Sequence, residues 1–388
     1  MVRYNFPTTV HMGADVCKHL PEALKQAGVK HPLVVTDKAL SALPVCVSFC
    51  AMLEAAHVKH GVFKGVEGNP VKSQVMQGVK VFLQGQHDGI VALGGGAALD
   101  VAKAIALMVY HPGDLFDYED DLPGARPVDQ KIPWVAALPT TAGTGSEVGR
   151  SAVISDDVTH AKKIIFSPRL MPNVVFADPL LTLALPPSVT ASTGMDALTH
   201  LMEAYLAKNV QPLCDGIALE GMRYVAASLK ACVDFAKRKE GATQEHVQAR
   251  TDMLNAALMG AVAFQKGLGV VHSCAHALST VCDMHHGLAN GIMLPYGMRF
   301  NAGAVPHRFA EMGHVLGASS CDVKGVLAWI EQMKISVGVP RTLAEAGVKV
   351  EHFSKLVDVA LADVCHANNP RVVTRADFEA LFKEALGG

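Results

Sequence analysis

The chain is expected to fold as an α/β domain built on a parallel sheet, followed by an all-α domain. Three features of the sequence carry that expectation. Short β-rich runs alternate with helical runs through the first half, the signature of parallel strands joined by crossover helices. A glycine triplet, Gly94-Gly95-Gly96, stands directly between one such run and a helical one. After Pro186-Pro187 strand signals nearly vanish, and Ala, Leu, Met and Glu recur at helical spacing. The 388 residues exceed one typical domain, and residues 1–185 and 186–388 are each long enough to bury a core.

Composition excludes several classes of function. Half the residues are apolar and 18% are charged, as in a folded protein rather than a disordered one. Thirty-four basic side chains face 36 acidic ones without a like-charge run, so neither nucleic acid nor an anionic membrane is expected as a main partner. Met1–Val10 lacks the apolar core of a secretory signal. Nine cysteines, an odd number without a regular framework, fit reduced thiols in a cytoplasmic protein.

Along the first half, candidate strands are Leu33–Thr36, Ile90–Leu93, Trp134–Leu138 and Val174–Ala177. The apolar stretch Leu40–Leu53 is too short to span a bilayer, contains Pro44 and reads as a buried helix. Its Cys46 and Cys50 lie four apart, as ligands can, but no further Cys or His stands nearby, which favours packing. Three strands end in material suited to binding: Thr36-Asp37, Gly94-Gly95-Gly96 and Pro139-Thr140-Thr141. Ligands of open α/β sheets sit beyond the carboxyl ends of strands, so these tips should face one cleft. In the second half, helices are expected over Thr190–Ala207, Gly216–Lys239 and Glu245–Phe264, and the active site is expected between the two domains.

The strand, glycine turn and helix from Ile90 to about Tyr110 form a place for a pyrophosphate, because glycines let the backbone approach and the helix start offers unpaired N–H groups. Gly94 and Gly96 fit the usual dinucleotide fingerprint, whereas its third glycine position holds Leu99. The loop Pro139–Glu147 adds four hydroxyls and two glycines, donors for a phosphate, a ribose or a nicotinamide amide. A plain turn and a solvated loop are the alternatives for these two features. Asp37, just past an early strand, can accept from an adenosine 2′-OH and would repel a 2′-phosphate, which favours NAD over NADP.

In the second half, Asp196 and His200 lie four apart on an expected helix and share a face. His272 and His276 repeat the spacing, and His286 follows. A carboxylate with several imidazoles suits Fe²⁺ or Zn²⁺ rather than calcium or magnesium.

These residues resemble the iron-containing (group III) alcohol dehydrogenases. The matching segments are Gly94–Asp100, Pro139–Glu147, Gly194–His200 and Val271–Pro295, with Asn69-Pro70 upstream and Asn369-Pro370-Arg371 near the end. The resemblance implies a Rossmann-like dinucleotide-binding domain and a helical metal-binding domain, in the two-domain arrangement of dehydroquinate synthase-like proteins. It implies metal ligands Asp196, His200, His272 and His286. His286 is preferred to His285 because fourteen residues separate it from His272, as in the family pattern. It further implies that Asp37, Asn69, Gly95, Gly96, Asp100, Thr140, Thr141, Thr144 and Lys162 line the cofactor, with adjacent Lys163 as the alternative to Lys162. His276 resembles the family's histidine beside the substrate and is the candidate proton relay. The implied reaction is hydride transfer between NAD and a small alcohol or aldehyde, in a homodimer or larger homo-oligomer.

Two departures stand out: Ala97 where relatives often carry Ser, and Val148-Gly149-Arg150-Ser151 after the hydroxyl loop. An inward Arg150 would grip a carboxylate and favour a hydroxyacid, whereas pairing with Glu147 or exposure to solvent gives it no such role. A lyase acting on a polyanion would need a basic cluster, and residues 260–300 offer only Lys266 and Arg299. A sensor that lost catalysis is the remaining alternative, though both cofactor loops and all four presumptive ligands are retained.

Overall fold

The computed structural model describes residues 4–120 and 122–387. The chain forms two compact units. One comprises Phe6–Thr141 and Gly145–Ala184; the other is built on Leu185–Gly388 and includes Ala142–Thr144.

The first unit holds strands β1 (Thr9–Met12), β2 (Pro32–Asp37), β3 (Gly61–Val66), β4 (Gly89–Gly94), β5 (Trp134–Pro139), β6 (Ser151–Ser155), β7 (Lys162–Phe166) and β8 (Val174–Ala177). Six of them form a sheet in the order β1-β8-β5-β4-β2-β3, parallel at every pairing. Its central strands are buried nearly end to end, which is why they read as continuous apolar runs rather than as alternating ones. All four strands expected from the sequence are present. β1 and β3 are short or partly polar, and the antiparallel hairpin of β6 and β7 carries lysines and serines, so none of these stood out in the sequence. β5, β4 and β2 are consecutive neighbours, and their carboxyl ends therefore lie side by side. The register pairs Gly94 with Pro139.

The stretch Leu40–Leu53 departs from expectation. It is divided between the helices Lys38–Ser41 and Pro44–Ala55, with Pro44 in the first turn of the second, where its missing N–H costs nothing. Only one face is buried: Cys46, Phe49 and Leu53 enter the core, whereas Val47 is 60% exposed. Cys46 is thus a packing residue.

The second unit is helical, with no strand among its described residues. Helices Pro187–Leu206, Pro212–Arg238 and Gln244–Ala263 match the three expected runs, and Val270–Cys282, His286–Asn301 and further helices follow. No single helix among the described residues is long and apolar enough to cross a membrane. One close approach shapes this unit. A Cβ on Gly287 would lie 2.4 Å from the backbone oxygen of Ser192 and 3.2 Å from Cβ of Asp196, so only glycine lets the start of helix His286–Asn301 rest on helix Pro187–Leu206. Gly287→Ala should therefore push these helices apart and cost about 1–3 kcal/mol, read from urea unfolding; an unchanged midpoint would show that the helices have room to shift.

Candidate metal and cofactor site

Three helices of the helical unit bring the expected ligands together. Helix Pro187–Leu206 presents Asp196 and His200 one turn apart, Val270–Cys282 presents His272, and His286 opens the next helix. One ligand atom from each of the four lies within 4.8 Å of all the others. His285 instead caps the helix, its Nδ1 accepting from Leu288 N at 3.4 Å. Asp196, His200 and His272 are buried, and His286 is partly so. Burial, opposed by the Asp196 charge, lowers the pKa of His200 to about 4, so its imidazole is neutral with a lone pair to give.

Glu203, one turn beyond His200, sets the orientation of His272. Its carboxylate lies 2.6 Å from His272 Nδ1 and accepts from the backbone N–H groups of Gly269, Val271 and His272 at 3.1, 2.7 and 3.2 Å. The Nδ1 proton is thereby held by Glu203, and the Nε2 lone pair faces the other ligands. Asn369 Oδ1 accepts from Val270 N at 3.2 Å, so the first turn of this helix is satisfied by two side chains.

The donor set fits a divalent transition metal. The Asn290 amide nitrogen lies 2.7 Å from Asp196 Oδ1, 3.1 Å from His286 Nε2 and 3.3 Å from His272 Nε2. Two amide hydrogens face three acceptors, while the buried Asn290 carbonyl oxygen has no hydrogen-bond partner among the described residues. Lone pairs from one carboxylate and the imidazoles converge where a cation satisfies them better than an amide does. Glu203 and Asn290 were not singled out from the sequence, although each had a signal: one lies three residues after His200 and the other four after His286, on the same helical faces.

His276 stands beside this group, its ring stacked on that of His286 with centroids 5.2 Å apart. Its Nδ1 is 2.7 Å from Asp363 Oδ2. Asp363 also accepts from Ser273 Oγ at 2.7 Å and Cys365 N at 2.9 Å. Burial pushes the Asp363 carboxyl upward, but the facing His276 and these hydrogen bonds outweigh it and hold the group well below the usual carboxylate range. Asp363 had no local sequence signal, being 87 residues from His276.

In the sheet unit, Gly95 precedes helix Gly96–Met108, and Thr140 N donates to Gly94 O at 2.9 Å. A Cβ on Gly95 would lie 3.2 Å from the Thr141 side chain, so the glycine turn and the start of the hydroxyl loop adjoin. Thr144 is grouped with the helical unit instead. Asp37 caps the helix Lys38–Ser41 through one oxygen, which accepts from Leu40 N at 2.7 Å, and its other oxygen faces Gly94. Asn69 follows β3, and the carbonyl of adjacent Pro70 accepts from Ser155 N at 2.7 Å. Lys163 pairs with Glu119 at 2.5 Å, so Lys162, next to it in β7, projects to the opposite face of the strand.

Asp100 is engaged within the protein. It accepts from Ser146 Oγ at 2.5 Å and Val153 N at 3.0 Å and pairs with buried Lys103 at 3.0 Å. Lys103 in turn donates to the backbone oxygens of Ser146 and Ser151. This knot ties the hydroxyl loop and β6 to the helix that follows the glycines. Arg150 lies over the ring of Phe166 at 5.1 Å.

Glu147, in the same loop, is 2% exposed, and burial raises its pKa to about 7, with Lys103 opposing. The unfolded chain releases this proton near 4.5 and the native chain near 7, so the wild-type protein loses stability as pH rises across that interval. Glu147→Gln should therefore gain in thermal midpoint relative to wild type between pH 5 and pH 8, and an equal difference at both pH values would contradict a raised carboxyl.

Comparisons with known proteins agree with this geometry. Residues 7–179 match the model of the iron-containing alcohol dehydrogenases, and residues 190–386 match that of the C-terminal part of the same family. The chain is 35% identical to the 1,3-propanediol dehydrogenase of Klebsiella pneumoniae, covering 100% of this chain and 99% of that protein. It is 34% identical to the NAD-dependent methanol dehydrogenase of Bacillus methanolicus over the full length of both. The solved structure of a 1,3-propanediol oxidoreductase superposes with a TM-score of 0.91 at 34% identity, covering 99% of this chain and all of that one. Sequence, fold and the converging ligand set therefore agree that this chain belongs to the iron-containing alcohol dehydrogenase family.

Proposed function

We propose that this oxidoreductase interconverts a small primary alcohol and its aldehyde with NAD(H), using Fe²⁺, or Zn²⁺ in its place, held by Asp196, His200, His272 and His286. The observation that carries the reading is the convergence of those four donor atoms within 4.8 Å, with Glu203 fixing the tautomer of His272. When bound, the metal supplies Lewis acidity toward the substrate oxygen, and the nicotinamide gives or takes the hydride.

The protein's own groups do the rest. Gly95, Gly96 and the first turn of the following helix receive the pyrophosphate on backbone N–H groups. Thr140, Thr141, Thr144, Asn69 and Lys162 supply donors along the cofactor. Asp37, with one oxygen committed to its helix cap, keeps the other for the adenosine ribose and disfavours NADP. Asp100 lines the cofactor beside the glycine turn and anchors the hydroxyl loop there. Asp363 holds the Nδ1 proton of His276, which leaves Nε2 to take the alcohol proton or return it. The reading includes a cytoplasmic setting, in which the nine cysteines stay reduced, and a homo-oligomeric assembly.

NADH oxidation against short aldehydes and semialdehyde acids tests it. Turnover should vanish in chelator-treated enzyme and return with Fe²⁺ or Zn²⁺ added without oxygen. Refilling should also raise unfolding stability, by about 2.7 kcal/mol at a hundredfold excess over Kd, and His272→Ala should abolish that gain. Activity indifferent to chelation would remove the metal from the mechanism. Asp363→Asn should lower kcat by roughly tenfold or more and alter its pH profile, with KM and the unfolding midpoint held; loss confined to stability would leave Asp363 a packing residue.

A further inference from the structure

Beside the four-ligand centre a second set of donors stands together. One ligand atom each of His276, Asp363 and Cys365 lies within 4.8 Å of the others. The three come from different elements: His276 from helix Val270–Cys282, Asp363 from the residue capping helix Phe353–Ala362, and Cys365 from the start of the short turn Cys365–Asn368. All three side chains are partly exposed, so dissolved ions reach them.

We propose that His276, Asp363 and Cys365 form a second divalent-metal site, selective for thiophilic ions such as Zn²⁺ and Cd²⁺, whose occupation switches the enzyme off. The nitrogen, oxygen and sulfur donors are three of the four ligands a tetrahedral zinc ion takes, and water can supply the fourth. The carboxylate is placed before an ion arrives, because Ser273 Oγ and the Cys365 backbone N–H both hold Asp363. The ion replaces the His276–Asp363 hydrogen bond: Nδ1 and a carboxylate oxygen become ligands of one cation, and the imidazole proton moves from Nδ1 to Nε2, so the ring stays neutral. The Cys365 thiol releases its proton on coordination.

Charge and softness separate this site from its neighbour. Asp363 and the Cys365 thiolate bring two negative charges to a dication, which limits its repulsion from an ion at the four-ligand centre. The stacking of His276 on His286 shows how close the two lie. The four-ligand centre contains no sulfur, whereas this one does, so zinc and cadmium gain over iron here. Inhibition rests on the reading of His276 as the proton relay, since a ring held by an ion no longer passes its proton. The site itself rests only on the three donors.

The test uses enzyme loaded with one equivalent of Fe²⁺ without oxygen, then titrated with Cd²⁺. Near-ultraviolet thiolate-to-cadmium absorption, retained iron and NADH oxidation are followed together. Wild type should develop the absorption band over one further equivalent, keep its iron, and lose turnover by about a hundredfold. Cys365→Ser and Cys365→Ala should show no band at that equivalent and keep turnover at the same Cd²⁺. Absence of the band in wild type, a band of equal size in both variants, or loss of iron in step with the band would each overturn the second site. If no aldehyde is reduced in any arm, the proposed activity falls, while the absorption titration still decides the site.

Discussion

A single buried carboxylate, that of Glu203, binds two of the helices that carry the candidate metal ligands to one another. It takes backbone N–H groups at the start of helix Val270–Cys282 and the Nδ1 of His272 on the same helix, while belonging to the helix that carries Asp196 and His200. A negative charge at a helix N-terminus is favoured by the helix dipole, and here it also decides which imidazole nitrogen is free to bind. Without it, the N–H groups of Gly269, Val271 and His272 would lose their acceptor, Val270 alone would keep Asn369, and His272 could turn. Helix position and ligand tautomer are thus set by one interaction.

The remaining ligand depends on packing. His286 meets Asp196 because Gly287 lets two helix backbones come close, and Asn290 then reaches across to the same carboxylate. In the sheet unit a comparable role falls to the buried Asp100–Lys103 pair, which fastens a loop of hydroxyls and glycines to the helix after the glycine turn. A loop so rich in small residues has little apolar surface with which to hold itself. A charge-assisted knot beneath it supplies the order instead.

Much of this was legible in the sequence, for identifiable reasons. The central strands are apolar runs bounded by turn residues, and the helices of the second half follow a 3.6-residue period, so both appear in local pattern. The four clustered donors were legible because two lie one helical turn apart and the others match a family spacing. Leu40–Leu53 misled because high hydropathy does not say how many faces a helix buries, and Pro44 divided it. The weakly patterned β6 and β7 pair with each other in a hairpin outside the main sheet, and local pattern does not mark such pairing.

By itself the sequence determined the four buried strands of the first half and the helical character of the second, the glycine and hydroxyl loops at strand ends, and the identity of residues able to bind metal. These are properties of spacing, and spacing along a chain translates directly into faces of helices and tips of strands. The tertiary structure alone decided that Asp100 turns inward to Lys103, that Glu203 holds Nδ1 of His272, and that Asp363 meets His276 from 87 residues away. Those outcomes depend on which polar group finds a partner once water is excluded, and that competition is settled among residues distant in sequence.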